Sequence, residues 1–359
     1  MTWTPERMAA LRLASCPELG SRTLARINER FPLADFLNTP DRWTSAGLTD
    51  TQQRGLRNTA ANPDLLDRSG VRMLLASDRD FPSALLRQAD VPFAIFVRGA
   101  LPLNAPAVAV VGTRRMTDYG RHATRLVVTE LAQAGITIIS GLALGVDAQA
   151  HEACLAVGGR TVAVLPGGVD DPSVAPPRNR PLADHILAAD GALLSEHPPG
   201  YPIREFSFLH RNRHIAALAS AVVVPEADRD SGALVTARLA LESGRDVLAV
   251  PGPIWSRSSR GTNWLISQGA RPCCSAEDVF SALGFRNPEH AKQMSDARAS
   301  IPVEPEEQLV LDALEAPHTP DEVARLLDQP IARISALVTV LELKGRIISV
   351  GPRTFVKTP

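Results

Sequence analysis

From residue 69 to residue 285, short apolar runs alternate with amphipathic stretches. The runs "AVAVVGT", "ITIIS", "TVAVLPGG", "ALLSE", "AVVVPEA" and "DVLAVPG" are rich in valine, alanine and leucine and show little polar alternation. Such runs suit strands buried on both faces, the usual state of a parallel sheet. Between them, "YGRHATRLVVTELAQAG", "GVDAQAHEACLAVG", "RNRPLADHILAAD", "HIAALA" and "SGALVTARLALESG" space their apolar residues as helices do. Strand–helix alternation of this kind predicts an α/β fold with a doubly wound, mostly parallel sheet. Upstream, "VRMLLAS" and "FAIFVRG" predict two further strands of that sheet.

The flanks have a different rhythm. In residues 1–68, "PERMAALRLASC", "SRTLARINERF" and "LADFLN" predict a small helical domain. "CPELGSRTLARI" fits two readings there. It is a helix-hairpin-helix or SAM-like turn with backbone N–H groups facing a phosphate, or a glycine helix end followed by a serine N-cap. Residues 286–303 lack periodicity and predict a flexible linker. In residues 304–359, three helical patterns and the hairpin "ISVGPRTFVK" predict a winged helix-turn-helix, with Thr319 and Pro320 as N-cap and first residue of its second helix.

Composition narrows the classes. A chain of 359 residues with 45% hydrophobic content and a formal net charge of −1 reads as an ordinary globular protein, so any polyanion must find a local patch. The basic residues are nearly all arginine, with lysine only at Lys292, Lys344 and Lys357. Cys16, Cys154, Cys273 and Cys274 form no C-x-x-C pair, which predicts reduced thiols and a cytoplasmic setting. No leader pattern and no apolar run of membrane-spanning length is legible.

In an open parallel sheet, ligands bind beyond the C-terminal strand ends. The turns at those ends are "GTRR" (Gly112, Thr113, Arg114, Arg115), "SGLALG" from Ser140 and Gly141, "PGG", and "PEADRDSGALVTA", which holds Ser231, Gly232 and Thr236. Glycines, hydroxyls and arginines gathered on one edge predict an anion-binding surface. A nicotinamide dinucleotide is disfavoured, because Arg114 and Arg115 stand where its fingerprint needs glycines. A phosphate-loop lysine is missing, since no lysine precedes Lys292. His122 and His151 are isolated, so neither a metal nor any other cofactor is expected.

The stretch "FLHRNRHIAAL" places Phe208, His210, Arg211, Asn212 and Arg213 ahead of an apolar run, and "PPRNR" adds Arg178 and Arg180. Interleaved aromatics and arginines provide faces for bases and forks for phosphates, which is what single-stranded nucleic acid requires. The alternative is that Phe208 anchors the loop while the arginines pair with Glu205, Glu226 and Asp230.

Beyond this chemistry, "VAVVGTRRMTDYGRHATRLVVTELAQAGITIISGLALGVDAQAHEACL", "FLHRNRHIAALASAVVVPEA", "SGALVTARLALESGRDVLAVPG" and "GTNWLISQGA" resemble the Rossmann-like core of the DNA-processing protein A family (DprA, also called Smf). The resemblance spans roughly residues 70 to 285. It implies a non-enzymatic protein that binds single-stranded DNA without sequence preference, protects it, and loads a RecA-type recombinase in natural transformation. It further implies a homodimer formed through the Rossmann-like domain. Carried across, Gly112, Thr113 and Arg114 match the family's phosphate-binding turn, Arg211, Asn212 and Arg213 its R-N-R segment, and Ser231, Gly232 and Thr236 its pocket-closing element. Arg178 and Asn179 look like the family's basic residue and asparagine after the third strand. Departures are Leu209 and His210 within the family's F-P-x-R-N-R, and Asp171–Pro172 where Tyr-Pro is usual.

Two rivals remain. A nucleotide hydrolase or lyase on this fold would use Glu226 and Asp147 as acid and base. A transcription regulator would read duplex DNA through the winged helix. Against the latter, eight acidic residues stand between Glu304 and Gln329 against Arg325 alone, and the would-be recognition helix offers only Arg333.

Overall fold

The computed structural model describes residues 2–101, 106–284, 303–316, 318–344, 346–351 and 354–357. The described chain divides into two compact units, residues 1–284 and 285–359.

The first unit opens with short helices α1 (Pro5–Ala14), α2 (Ser21–Arg30), α3 (Leu33–Asn38), α4 (Pro40–Ser45), α5 (Asp50–Asn58) and α6 (Pro63–Arg68). Leu11, Leu13, Ile27, Leu33, Phe36 and Leu56 form their common core, which continues into the adjoining sheet through Met73 and Phe96. Ser21 is not the N-cap of α2. Gly20 holds that position without a side-chain bond, and the Ser21 hydroxyl donates to Glu196 in the sheet domain.

The sheet contains β1 (Val71–Leu75), β2 (Ala94–Gly99), β3 (Ala107–Val110), β4 (Thr137–Ser140), β5 (Thr161–Val164), β6 (Ala192–Ser195), β7 (Ala221–Val224), β8 (Asp246–Ala249) and β9 (Arg271–Pro272). Their order is β1-β2-β6-β5-β4-β3-β7-β8-β9. β1 and β2 extend the sheet antiparallel, and the pairs from β6 to β9 are parallel. β3 through β7 are wholly or almost wholly buried, which explains their continuous apolar sequence. α7 (Ser83–Leu86) joins β1 to β2; the crossovers are α8 (Asp118–Gln133), α9 (Val146–Leu155), α10 (Arg180–Ala188), α11 (Glu205–Leu218), α12 (Gly232–Glu242) and α13 (Arg260–Ser267), with α14 (Ala276–Ala282) after β9. The strand order reverses between β3 and β7, so their carboxyl ends flank a crevice.

The second unit holds α15 (Pro305–Ala313), α16 (Pro320–Leu326), α17 (Ile331–Leu343) and the hairpin β10 (Ile347–Gly351) to β11 (Thr354–Lys357). Thr319 caps α16 with Pro320 next, and Glu322 completes a capping box. Val310, Leu314, Val323, Ile334 and Leu341 fill its core. The expected linker 286–303 lies outside the described residues except for Val303. Among the described residues no helix is long and apolar enough to cross a membrane.

Candidate functional site

The crevice at the β3/β7 switch point opens into a groove of about 530 Å³. Its floor is the turn Gly112–Arg115, held from both sides. Thr113 N–H donates to the Glu226 carbonyl after β7 (2.8 Å), and the Thr113 carbonyl accepts from Val146 N–H (3.2 Å). Gly112 admits no side chain, because a Cβ there would come within 2.6 Å of Val146 Cγ2 and 2.7 Å of the Glu226 carbonyl. Gly145 has φ +83°, and its Cβ would stand 2.3 Å from the Thr113 carbonyl. Gly145→Ala is therefore expected to cost roughly 1–3 kcal/mol in a denaturant titration by straining the turn.

Arg114 and Arg115 project outward from this turn, exposed, and neither enters a salt bridge among the described residues. The Arg114 guanidinium carbon sits 5.2 Å from the centre of the Phe208 ring, a cation–π distance that sets a cation beside a flat apolar face. Opposite lies the first turn of α12, where Ser231 is the N-cap and accepts from Ala233 N–H. Gly232 leaves that end open, with nothing within 4 Å of where a Cβ would be. Asn212 and the buried Thr236 complete this wall. Two arginines, an aromatic ring and a helix N-terminus thus converge on one opening.

Behind the floor the polar groups are structural. Arg211 is 6% exposed. Its Nη1 donates to the carbonyls of Gly141 and, at 2.7 Å, Val164. It reaches the groove only from underneath. A Cβ on Gly141 would collide with that guanidinium at 2.1 Å, so Gly141 is glycine to let Arg211 pass. Ser140 is fully buried and donates to the Val110 carbonyl (2.6 Å). Asp147, 5% exposed, accepts from Gly141 N–H at 3.1 Å and Ala143 N–H at 3.4 Å. Burial pushes its carboxyl above the usual range, against Arg211 and the backbone N–H groups of Ala143, Gly141 and Gly112, which favour the charged form. His151, also buried, is lowered to about 3, first by burial and then by the Arg211 charge.

Several expected contacts do not join the groove. Residues 211–213 sit on successive positions of α11, about 100° apart around the axis. Arg211 points into the sheet, Asn212 to the groove, and Arg213 to the far side. There Arg213 Nη2 donates to both Glu196 oxygens at 2.8 Å, and Nη1 donates to the Asp90 carbonyl at 3.1 Å. The pairing of arginines with nearby acids was a sound alternative, but the partners are Glu196 and Asp90. His210 shares Arg213's side and lies 5.5 Å from the Phe206 ring, lining a separate cavity against α2. Asn179 is buried and donates to the Leu142 carbonyl (2.8 Å), while Arg178 is exposed outside the groove.

Sequence reading also missed residues. Arg257 and Asp228 line the groove as an ion pair, next to Asp230, which the sequence offers only as a partner for the arginines. The turn after β8 carries Arg257, and the strand-end argument reaches it once that turn is included. Glu226, a candidate acid in the hydrolase reading, is 1% exposed. Its two oxygens accept from Thr117 N–H (2.8 Å) and Thr117 Oγ1 (2.7 Å), fixing the start of α8.

A family model described as DNA recombination-mediator protein A matches residues 72–284, the whole sheet domain apart from Val71. The chain belongs to that family. A second model, the DprA winged helix domain, matches residues 294–351. Protein Smf of Escherichia coli is 39% identical over 295 residues, covering 79% of this chain and 77% of that protein. DNA processing protein DprA of Bacillus subtilis is 37% identical over 225 residues, 62% of this chain and 75% of its own. The crystal structure of DNA processing protein A from Streptococcus pneumoniae superposes with a TM-score of 0.66 at 31% identity, covering 78% of this chain and 98% of its own. A solved structure of DNA processing protein A from Helicobacter pylori, which concerns its single-stranded DNA binding mode, superposes with a TM-score of 0.53 at 32% identity, covering 59% of this chain and 95% of its own.

Proposed function

We propose that this protein binds single-stranded DNA in the β3/β7 groove without sequence preference, protects it, and delivers it to a RecA-type recombinase during natural transformation. The observation that carries the reading is the convergence of Arg114, Arg115, the Phe208 ring and the N-terminus of α12 on one open groove. Arginine forks and the helix end suit backbone phosphates, and the ring suits a base of any kind. Asp228 is taken up by Arg257, which limits its repulsion of phosphate. Two copies joined through the sheet domain would align two grooves along one strand and raise affinity by multivalency. The protein would work in the cytoplasm, where incoming strand and recombinase meet.

The winged helix serves as a protein contact in this scheme. Its one recognition-helix cation, Arg333, is bound to Glu306 at 2.5 Å, while Leu309 and Leu326 are 58% and 63% exposed. Binding of fluorescent oligo-dT over a salt series tests the central claim. Arg114→Ala is expected to weaken binding roughly tenfold or more, to lower the salt slope by about one, and to leave melting unchanged. Undiminished binding in Arg114→Ala and Arg115→Ala would move DNA to another surface.

A further inference from the structure

The turn between β8 and α13 reads "PGPIWSRSS" and carries two large apolar side chains in water: Ile254 is 84% exposed and Trp255 83%. The other tryptophans are engaged. Trp43 is buried and donates to the Phe36 carbonyl, Trp3 donates to Asp67, and Trp264 lies 4.6 Å beneath the Arg229 guanidinium. Trp255 enters no hydrogen bond or ring contact among the described residues. Its turn is nevertheless held firmly at both ends. Gly252 exchanges hydrogen bonds with the Asn263 side chain (3.2 and 2.9 Å), Tyr119 OH donates to the Pro251 carbonyl, Ser256 and Ser258 bond at 2.9 Å, and Arg257 pairs with Asp228.

The ledge is tied to the groove at Arg257 by its own chain and near Arg115 by its contact with Tyr119. Arg257, two residues after Trp255, lines the groove; so does Arg115, four residues before Tyr119. Tyr119 is 47% exposed, and its Cε1 lies 3.8 Å from where a Cβ on Gly252 would stand. Trp255 thus stands two residues from a groove arginine on a preorganised turn, and the Tyr119 ring packs against the start of that turn. Flat faces next to guanidinium groups, with no base-specific donors, are how a single strand is held without reading its sequence.

We propose that Trp255, flanked by Ile254 and Tyr119, is a stacking platform for a nucleobase of a single strand leaving the groove past Arg115 and Arg257. The proposal rests on the groove being the DNA site and adds a base-binding subsite to it. Two strands serve as probes: oligo-dT, and an abasic deoxyribose-phosphate strand of the same length. Trp255→Ala is expected to weaken oligo-dT binding roughly five- to tenfold, within the range for one stacked base, and to leave abasic binding and melting temperature unchanged. Trp255→Phe should retain most of the affinity while removing most of the tryptophan quenching that oligo-dT causes. Arg114→Ala should weaken both strands. Wild-type affinity for oligo-dT in Trp255→Ala, or an equal loss on both strands, overturns the stacking platform and leaves the groove standing. So does a fall in assembly state on sedimentation, which would make the ledge a contact between copies. Absence of oligo-dT binding by the wild type overturns groove and ledge together.

Discussion

Arg211→Ala is expected to abolish oligo-dT binding and to destabilise the fold by roughly 3–5 kcal/mol, the cost of removing one partner from a buried charged network. The guanidinium satisfies the carbonyls of Gly141 and Val164 at the ends of β4 and β5. It is also a cation favouring the ionised form of Asp147. Alanine would leave those carbonyls unsatisfied in a dry site and Asp147 without that counter-charge. Asp147 in turn holds the N–H groups of Gly141 and Ala143, so disorder would spread from there toward the groove floor. Denaturant titration beside oligo-dT binding separates this from a surface effect: Arg114→Ala loses DNA and keeps stability, whereas Arg211→Ala loses both. Wild-type stability in Arg211→Ala would mean that the guanidinium supports nothing.

The second large effect lies on the opposite side of α11. Glu196, at the end of β6, accepts from Arg213, His214 and Ser21, and so fastens the N-terminal helices to the sheet domain. Burial disfavours its charge, but the hydrogen bond and charge of His214, the Arg213 guanidinium and the Ser21 hydroxyl outweigh that and hold the carboxyl well below the usual range. Glu196→Ala is expected to cost about 3–5 kcal/mol and to make α1–α6 more susceptible to limited proteolysis. The pH dependence has a definite sign. Since the folded carboxyl is depressed, the stability it adds is complete above the ordinary glutamate value of about 4.3 and is lost as pH falls below it. His197 acts earlier: burial lowers it to about 4, so between its ordinary value of about 6.5 and that point the unfolded chain takes up a proton that the folded chain refuses. Denaturation midpoints should decline below about pH 6.5 and more steeply below about 4.3, with the steep part removed in Glu196→Gln. A midpoint that is flat down to acid pH in the wild type would show that the carboxylate network contributes little.

Much of the architecture was legible in the sequence because burial leaves a one-dimensional trace. Strands buried on both faces must be apolar throughout, and helices on a sheet must repeat their apolar positions near every third or fourth residue. That placed the sheet, the turns at its carboxyl edge and the capped helices of the winged unit, and the motif resemblance pointed to the family. Gly112, Thr113, Arg114, Arg115, Ser231, Gly232 and Thr236 meet at the groove, as the strand-end argument expects, and Phe208 and Asn212 of the "FLHRNRHIAAL" stretch join them.

Side-chain direction leaves no such trace. "RNR" is three polar residues in a row, yet on a helix they point three ways, and only the packing of α11 decided which arginine faced the core, which faced Glu196, and that Asn212 alone faced the groove. Ser140 and Gly141 read as the start of a surface turn, yet Ser140 is the buried last residue of β4, bonded to the Val110 carbonyl, and Arg211 is laid across Gly141. Nothing in its residue type marks Trp255 for the surface, and only the tertiary structure left it in water two residues from Arg257 of the groove wall. The chain alone determined which segments are buried, because burial is a property of residue type and period. Which way each polar side chain turns depends on neighbours distant in sequence, so that was decided by the folded structure.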